Sequence, residues 1–598
     1  MKLALGITAL HPLITLTTAA KLNCPLSGPV FPFPTNLLQS PTIASVAATL
    51  DEAFFNNIEN DTSTGSGHFS YAAQVFTASE GEDEPLWARY WTAPDLGQFQ
   101  NVSGGVSVVD GDTVFRIGSV TKIFTVLTFL ATVGDGIWNE PIGGYLPEVE
   151  EMMKAGNGRG VIYTPDWEAI TVDALLGELS QQLNITRLVG MGFPPLENTS
   201  YPPCGTSPTC DRQQLFAGIA QLPPSYAPFT TPTYSDVGFV LLSFIAEKVA
   251  GKPFKDLVQD SVLTPLGLEH TFYQSPEDDS VGVIPGTKPK TTWGYDLGVE
   301  MATGNMYTSA TDLATLGRAI LRSTLVKPAV TKRWLKPTSF SSDPKATVGM
   351  PWGIRRVGVQ KNQTYYEVHT FNKIGSIGAY SAVFALIPEL QLGFSILAAG
   401  PGGSAIATAI AEALADTYIP TIDNIARAQA NVTFAGHYQH ASLSDGDDGS
   451  TGPKLNSSLT VSVDPYAPGL HVTSWLSNST DMGLLAVALA ANVSAAGFPQ
   501  LKPSVRLYPT GLEQPIEGDD GTSGGKKVAF KAVFEDMGGD GVADGGGAFV
   551  NDCGTWVGVT GVVYGRMPLD LFVFEVGADG VVQAVVNEGL RVRLVKVD

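Results

Sequence analysis

Up to about residue 430, apolar positions along the chain recur with two periods. In VTKIFTVLTFLATV (120–133), TVDALLGELSQQL (171–183), SDVGFVLLSFIAEKVAG (235–251), SATDLATLGRAILR (309–322) and GSAIATAIAEALADTY (403–418) they return every three to four residues, the spacing of a helix face. In AYSAVFALIP (379–388) and LQLGFSILAAG (390–400) they run almost unbroken, and the Pro388-Glu389 break between them predicts a hairpin of two buried strands. Beyond residue 430 the texture changes to short alternating runs, SSLTVSV, GLHVTSWL, KKVAFKAVFE and DLFVFEV, separated by Gly/Asp-rich turns. The pattern predicts an α+β domain followed by a small all-β domain, a sandwich or barrel. The division expected is 1–20 leader, 21–428 first domain, 429–598 second.

The helix that opens at FRIGSVTKIFTVLTFL (115–130) carries Ser119 and Lys122 three apart, a spacing that puts both on one helix face with Cβ atoms about 5–6 Å apart. Its apolar residues run all round, so it is a core helix, and burial at its mouth would push the lysine toward its neutral, basic form. The Ser-x-x-Lys spacing is weak alone, because it recurs at Ser342–Lys345 and Ser523–Lys526. The first of these holds a proline and the second is a Gly-rich turn; only Ser119 opens a long apolar helix, where free N–H groups and the helix dipole can stabilise an oxyanion. GTSGG around Ser523 fits a nucleophile-elbow spelling without the strand and helix an elbow needs. Two more stretches add chemistry: Tyr234 ahead of the apolar helix in TTPTYSDVGF, and Lys373 in FNKIGSIGAYSAVF. A tyrosine near two lysines can relay a proton between a serine and a leaving group.

Composition narrows the partners. The chain has 598 residues, is 44% hydrophobic and has a net charge of -22, which disfavours nucleic acid and anionic membrane surfaces. No Gly-rich phosphate loop follows a strand, and His437 and His440 in HYQH lack further ligands at metal-site spacing. No cofactor and no metal are expected. GGDGVADGGGAF (538–549) occurs once and reads as a loop. MKLALGITALHPLITLTTAA has the make-up of a signal peptide, and no later run is long and apolar enough for a membrane span. Asn-x-Ser/Thr acceptors at Asn60, Asn101, Asn184, Asn198, Asn362, Asn431, Asn456, Asn478 and Asn492 favour a secreted, extracellular glycoprotein. Cys24, Cys204, Cys210 and Cys553 allow three pairings. If the close pair Cys204 and Cys210 clips a loop, Cys24 is left to reach Cys553.

Taken together, SVTK, TYSD and KIGS resemble the Ser-x-x-Lys, Tyr-x-Asn and Lys-Thr-Gly motifs of the serine β-lactamase and penicillin-binding-protein superfamily, in its class C β-lactamase and esterase branch. ITVDALLGELS, LTPLGLEHTF and GNMYTSATDLATLGRAIL resemble that branch's framework segments, and FAGHYQH (434–440) resembles the start of the β-rich tail of secreted fungal β-lactamase-like proteins. The resemblance implies an antiparallel sheet flanked by helices with an all-helical subdomain. It also implies Ser119 as nucleophile, Lys122 and Tyr234 as base or proton relay, Lys373 as electrostatic support for Tyr234, and an oxyanion hole from the Ser119 and Ser376 amides after Gly375. His369 as a substitute for Lys373 is rejected, because Phe371 stands where a glycine is required. Two departures bear on substrate. Asp236 replaces the asparagine and cannot donate when ionised, and Ile374 replaces the threonine hydroxyl by an apolar wall. The expected activity is hydrolysis of, or acyl transfer from, a small-molecule ester, lactone or amide. The alternatives are a β-lactamase or D-amino-acid peptidase, and a non-catalytic binding protein that retains the fold.

Overall fold

The computed structural model describes residues 23–60, 68–79, 81–155, 160–173, 209–359, 366–440, 456–517, 523–538 and 553–597. The chain divides into two compact units, 33–425 and a second made of 426–598 with the N-terminal segment up to Pro32. The boundary placed by sequence at 428/429 grouped 21–32 with the first domain, whereas those described from Asn23 on cluster with the second.

The larger unit is built on an antiparallel eight-stranded sheet, in the order Trp87–Trp91, Ser70–Thr77, Leu392–Ala399, Tyr380–Ile387, Glu367–Ile377, Gly353–Gly358, Ala346–Val348, Ser339–Phe340. Its central strands are buried at every position, Ser70–Thr77, Tyr380–Ile387 and Leu392–Ala399 alike, which is why the last two read as almost continuous apolar runs. The predicted hairpin forms, with Ile387 paired to Leu392 and Tyr380 to Ala399. Helix Ala310–Arg322 lies on Ser70–Thr77 and Leu392–Ala399. Helices Thr121–Thr132 and Val237–Ala250 pack on each other, and the short helix Met301–Gly304 lies against both. Residues 121 to 130 are all buried, as a helix apolar on every side requires. The helix read from 171 onward falls largely outside the described residues.

The strand Glu367–Ile377 carries one feature that positions the site. Its neighbour Gly353–Gly358 pairs with it only from Glu367 to Asn372, so 373 to 377 keep a strand partner on one side alone, the side of Tyr380–Ile387. The turn Gly118–Val120 packs against this stretch.

In the smaller unit the predicted β segments form a nine-stranded antiparallel sheet. It closes into a barrel because Ser458–Val463 pairs with Gly436–His440 on one side and with Leu470–Ser477 on the other. Phe434, Phe530 and Phe574 meet edge to face with ring centroids 5.2 Å apart, an arrangement aromatic quadrupoles favour. The unit is not purely β. MGLLAVALA forms the helix Met482–Ala490, capped by Asp481 at Leu484 N, an apolar run too even in hydrophobicity to betray its period. The helix read at 403–418 likewise continues to Phe434 through Pro420, because Ile419, Ile422, Ala426, Ala430 and Phe434 stay buried at helical spacing.

Cys24 and Cys553 form a disulfide, and Cys210 is disulfide-bonded too, with Cys204 outside the described residues. The start of the segment is held by polar contacts as well. Asn23 Nδ2 donates to Ser504 Oγ and Glu535 Oε2, both at 2.9 Å, and its Oδ1 accepts from Arg506 Nε at 2.8 Å. The double variant Cys24→Ser/Cys553→Ser is therefore expected to lower the melting temperature of this unit, by the loss of about 2–5 kcal/mol typical of a native disulfide, and to expose residues before Pro32 to limited proteolysis. An unchanged melting profile and an unchanged digestion pattern would show that the polar contacts hold the segment without it.

Candidate active site

Ser119 lies in the 3₁₀ turn Gly118–Val120, immediately before the twelve-residue helix Thr121–Thr132. Its Oγ lies 3.0 Å from Lys122 Nζ and 2.6 Å from the Tyr234 hydroxyl. The Ser119–Lys122 contact is the one the i, i+3 spacing predicts. Tyr234 is brought from 115 residues away by the entry of helix Val237–Ala250, and it remains 47% exposed.

Lys122 is fully buried and has three oxygen partners. Nζ donates to Ser119 Oγ at 3.0 Å, to the Thr303 carbonyl at 2.8 Å, and to Asp236 Oδ1 at 2.6 Å. Three partners use every N–H of an ammonium. The sequence places both a buried setting and the Asp236 carboxylate near this lysine; the structure puts that carboxylate in direct contact with it. Local chain geometry explains why Asp236 is available. It occupies the N-cap of its helix but makes no side-chain cap. Ser235 Oγ accepts from Gly238 N at 2.9 Å instead, leaving the aspartate free to turn to Lys122.

Lys373 is 8% exposed, on the strand Glu367–Ile377. Its Nζ stands 5.1 Å from the Tyr234 ring centroid, as does that of Lys122. Burial, and then the Lys122 charge, push the Lys373 ammonium down to about 7, with Asp236 opposing. The alternation of the strand puts Lys373 and Gly375 on the buried side, with Ile374 and Ser376 on the exposed one. Ile374 is 47% exposed. His369 pairs with Glu389 at 2.7 Å instead of joining this cluster.

Two glycines let the strand and the turn meet. A Cβ on Gly375 would stand 2.0 Å from the Ile117 carbonyl oxygen and 2.8 Å from Ser119 N, and one on Gly118 would stand 2.7 Å from Ser376 N. Gly118 also has φ of +49°, a region that favours glycine. The Ser119 and Ser376 backbones are thus in one corner. Sequence reasoning missed Glu300, whose carboxyl burial and the Asp236 charge push upward while Lys122 draws it down. It also missed the Thr303 carbonyl. Neither lies in a motif; both stand on the chain just before GNMYTSATDL.

Six of the acceptor asparagines, Asn60, Asn101, Asn431, Asn456, Asn478 and Asn492, are exposed, and Asn184, Asn198 and Asn362 lie outside the described residues. His437 and His440 sit on the strand Gly436–His440; among the described residues no group of His, Cys, Asp or Glu is placed to hold a metal ion. Nor, among them, is any helix long and apolar enough to cross a membrane.

A serine in this contact with a lysine and a tyrosine, between a helix start and a strand edge, is the arrangement of a nucleophile with its proton acceptor. The β-lactamase family model matches residues 81–418, more than half of the chain, and the chain belongs to that family. A second model, described as a β-lactamase-like C-terminal domain, matches 426–598. The chain is 29% identical to a β-lactamase-like protein of Arthroderma benhamiae over 94% of each chain. It is 25% identical to a probable hydrolase, M10, of a Phoma species over 77% of this chain and 74% of the relative. Among solved structures, a class C β-lactamase aligns with 63% of this chain and 96% of its own at 16% identity, with a TM-score of 0.44. Membership of that family, with the helix-flanked antiparallel sheet, makes the fold β-lactamase/transpeptidase-like, with a β-rich C-terminal region, and relatives in the family include probable hydrolases.

Gly375→Val is expected to abolish activity, because its Cβ would meet backbone and not a movable side-chain end; Ser376→Ala keeps the amide and is expected to remain within a few-fold. Comparable losses in both, with circular dichroism unchanged, would refute a role for the backbone contact. A second expectation concerns pH. Lys373, drawn down to about 7, is charged below and neutral above, so kcat/KM is expected to carry a falling limb near neutrality that Lys373→Arg removes, arginine staying cationic throughout. A profile identical in the variant would assign the limb elsewhere.

Proposed function

We propose that this chain is a secreted serine hydrolase that forms an acyl-enzyme on Ser119 from a small ester, with lactones or amides as slower substrates, and releases the acyl group to water or another alcohol. The observation that carries the reading is the pair of contacts on Ser119 Oγ, 2.6 Å from the Tyr234 hydroxyl and 3.0 Å from Lys122 Nζ. With all three Lys122 donors engaged, one by a carboxylate, the Tyr234 oxygen is the group left beside Ser119 Oγ to take the serine proton. Lys373, with Nζ 5.1 Å from the Tyr234 ring centroid, supplies positive charge beside the tyrosine. Oγ then bonds to the substrate carbonyl carbon, the oxyanion faces the Ser119 and Ser376 amides, and Tyr234 returns the proton to the leaving oxygen. Deacylation repeats these steps with water as the nucleophile.

Asp236 supports esters over β-lactams. Its carboxylate offers no donor to a side-chain amide carbonyl, and it presents a charge that anionic substrates must approach. Exposure of the described acceptor asparagines and the Cys24–Cys553 disulfide support passage through an oxidising secretory route.

A fluorophosphonate probe is expected to label Ser119 and to fail on Ser119→Ala, read by intact mass and peptide mapping. Tyr234→Phe is expected to lower nitrophenyl acetate turnover by at least about 10²-fold, the scale of acid–base catalysis. Wild-type protein is expected to favour that ester over a chromogenic cephalosporin in kcat/KM; efficient cephalosporin turnover with negligible esterase activity would make the chain a β-lactamase in activity instead.

A further inference from the structure

The Asp236 carboxylate is only half used. Oδ1 pairs with Lys122 at 2.6 Å, while Oδ2 makes no hydrogen bond among the described residues, and the side chain keeps 20% of its surface exposed. The carboxylate lies two polar contacts from the nucleophile, through Lys122 Nζ to Ser119 Oγ. A reacting carbonyl carbon sits about 3–3.5 Å from the attacking oxygen, and a substituent on the adjacent α-carbon lies at the same order of distance from Ser119 Oγ as the carboxylate that shares Lys122 with it. We propose that Asp236 is a specificity residue that selects acyl groups carrying an ammonium on the α-carbon, making α-amino esters the preferred substrate class of this site. The inference rests on the Ser119 hydrolase reading above.

The charges around the site support a cation over a neutral hydroxyl. Lys122 and Asp236 cancel as a pair. Glu300 is near enough to feel both members of that pair: burial and the Asp236 charge push its carboxyl upward, and Lys122 draws it down. Lys373 is the opposing cation, and its charge is only partial at neutral pH. An α-amino group is itself largely protonated there. An anion entering beside Asp236 meets repulsion, an acyl group without a donor leaves Oδ2 unpartnered, a hydroxyl supplies a neutral donor, and an ammonium supplies a charge-assisted one. The reaction balances as for any ester: Oγ–C forms, C–O to the alcohol breaks, and the proton moves from Ser119 through Tyr234 to the alcohol.

The test uses benzyl esters of alanine (both enantiomers), lactate and propionate, which differ at the α-carbon only by ammonium, hydroxyl and hydrogen, with benzyl alcohol release measured on the full chain at neutral pH. The expected order in kcat/KM is one alanine enantiomer above lactate above propionate, with alanine ahead of propionate by about tenfold or more, the range of a hydrogen bond to a charged group. Asp236→Asn is expected to reduce that ratio to a few-fold, and Glu300→Gln to reduce it in part. Propionate hydrolysed as fast as either alanine ester by the wild-type protein overturns the selectivity while leaving the hydrolase reading intact. A ratio unchanged in Asp236→Asn overturns the assignment to Asp236. No hydrolysis of any of the esters together with no fluorophosphonate labelling of Ser119 instead overturns the hydrolase reading on which it rests.

Discussion

The site hangs on the seat of one buried cation. Lys122 lies on a helix whose first ten residues are all inaccessible, and an ammonium without partners in such a place is too costly to persist. Each of its donors is met from a different part of the chain: Ser119 from the turn before its own helix, Thr303 from the short helix Met301–Gly304, and Asp236 from the start of Val237–Ala250. Satisfying the lysine therefore fixes the relative placement of these three elements. Phe239, 5.4 Å from Nζ at its ring centroid, closes the remaining side with an aromatic face.

The second constraint is steric. The strand Glu367–Ile377 must touch the turn that holds Ser119, and only glycine at 118 and 375 lets two backbones come so close. The missing strand partner beyond Asn372 leaves the edge at 373–377 open at the same place. A site at a free sheet edge gains unpaired backbone groups that a substrate can use, at the risk of unwanted pairing. The turn lies against the buried face of this stretch, beside Lys373, whose low-dielectric setting and like-charged neighbour lower its hold on a proton.

Asp236 and Glu300 distinguish the electrostatics of this cluster from that of two lysines alone. A carboxylate in contact with Lys122 neutralises it as a recognition group for anions, while keeping it as a hydrogen-bond donor to the serine. The side chain of Asp236 keeps part of its surface exposed beside that contact. One substitution in the Tyr-Ser-Asp motif thereby affects proton chemistry and substrate charge together.

Much of this was legible in the sequence. The length of the apolar run after Ser119 marked the buried helix at 121–132, and two shorter apolar runs broken at Pro388-Glu389 marked the hairpin at 380–399. The Ser119–Lys122 contact followed from the i, i+3 spacing on a helix. The barrel strands of the second unit were visible as alternation, but their closure was not, since pairing partners are chosen by packing over long separations. The helix at 482–490 was hidden because a run apolar on every side has no period to read. Tyr234 and Lys373 could be named from motif likeness, yet only the folded chain decided that Asp236 leaves its cap to Ser235 and turns to Lys122, and that Glu300 and the Thr303 carbonyl join it. Those choices depend on which buried charge each group can neutralise, and charge neutralisation is a property of three-dimensional neighbours that sequence order does not contain.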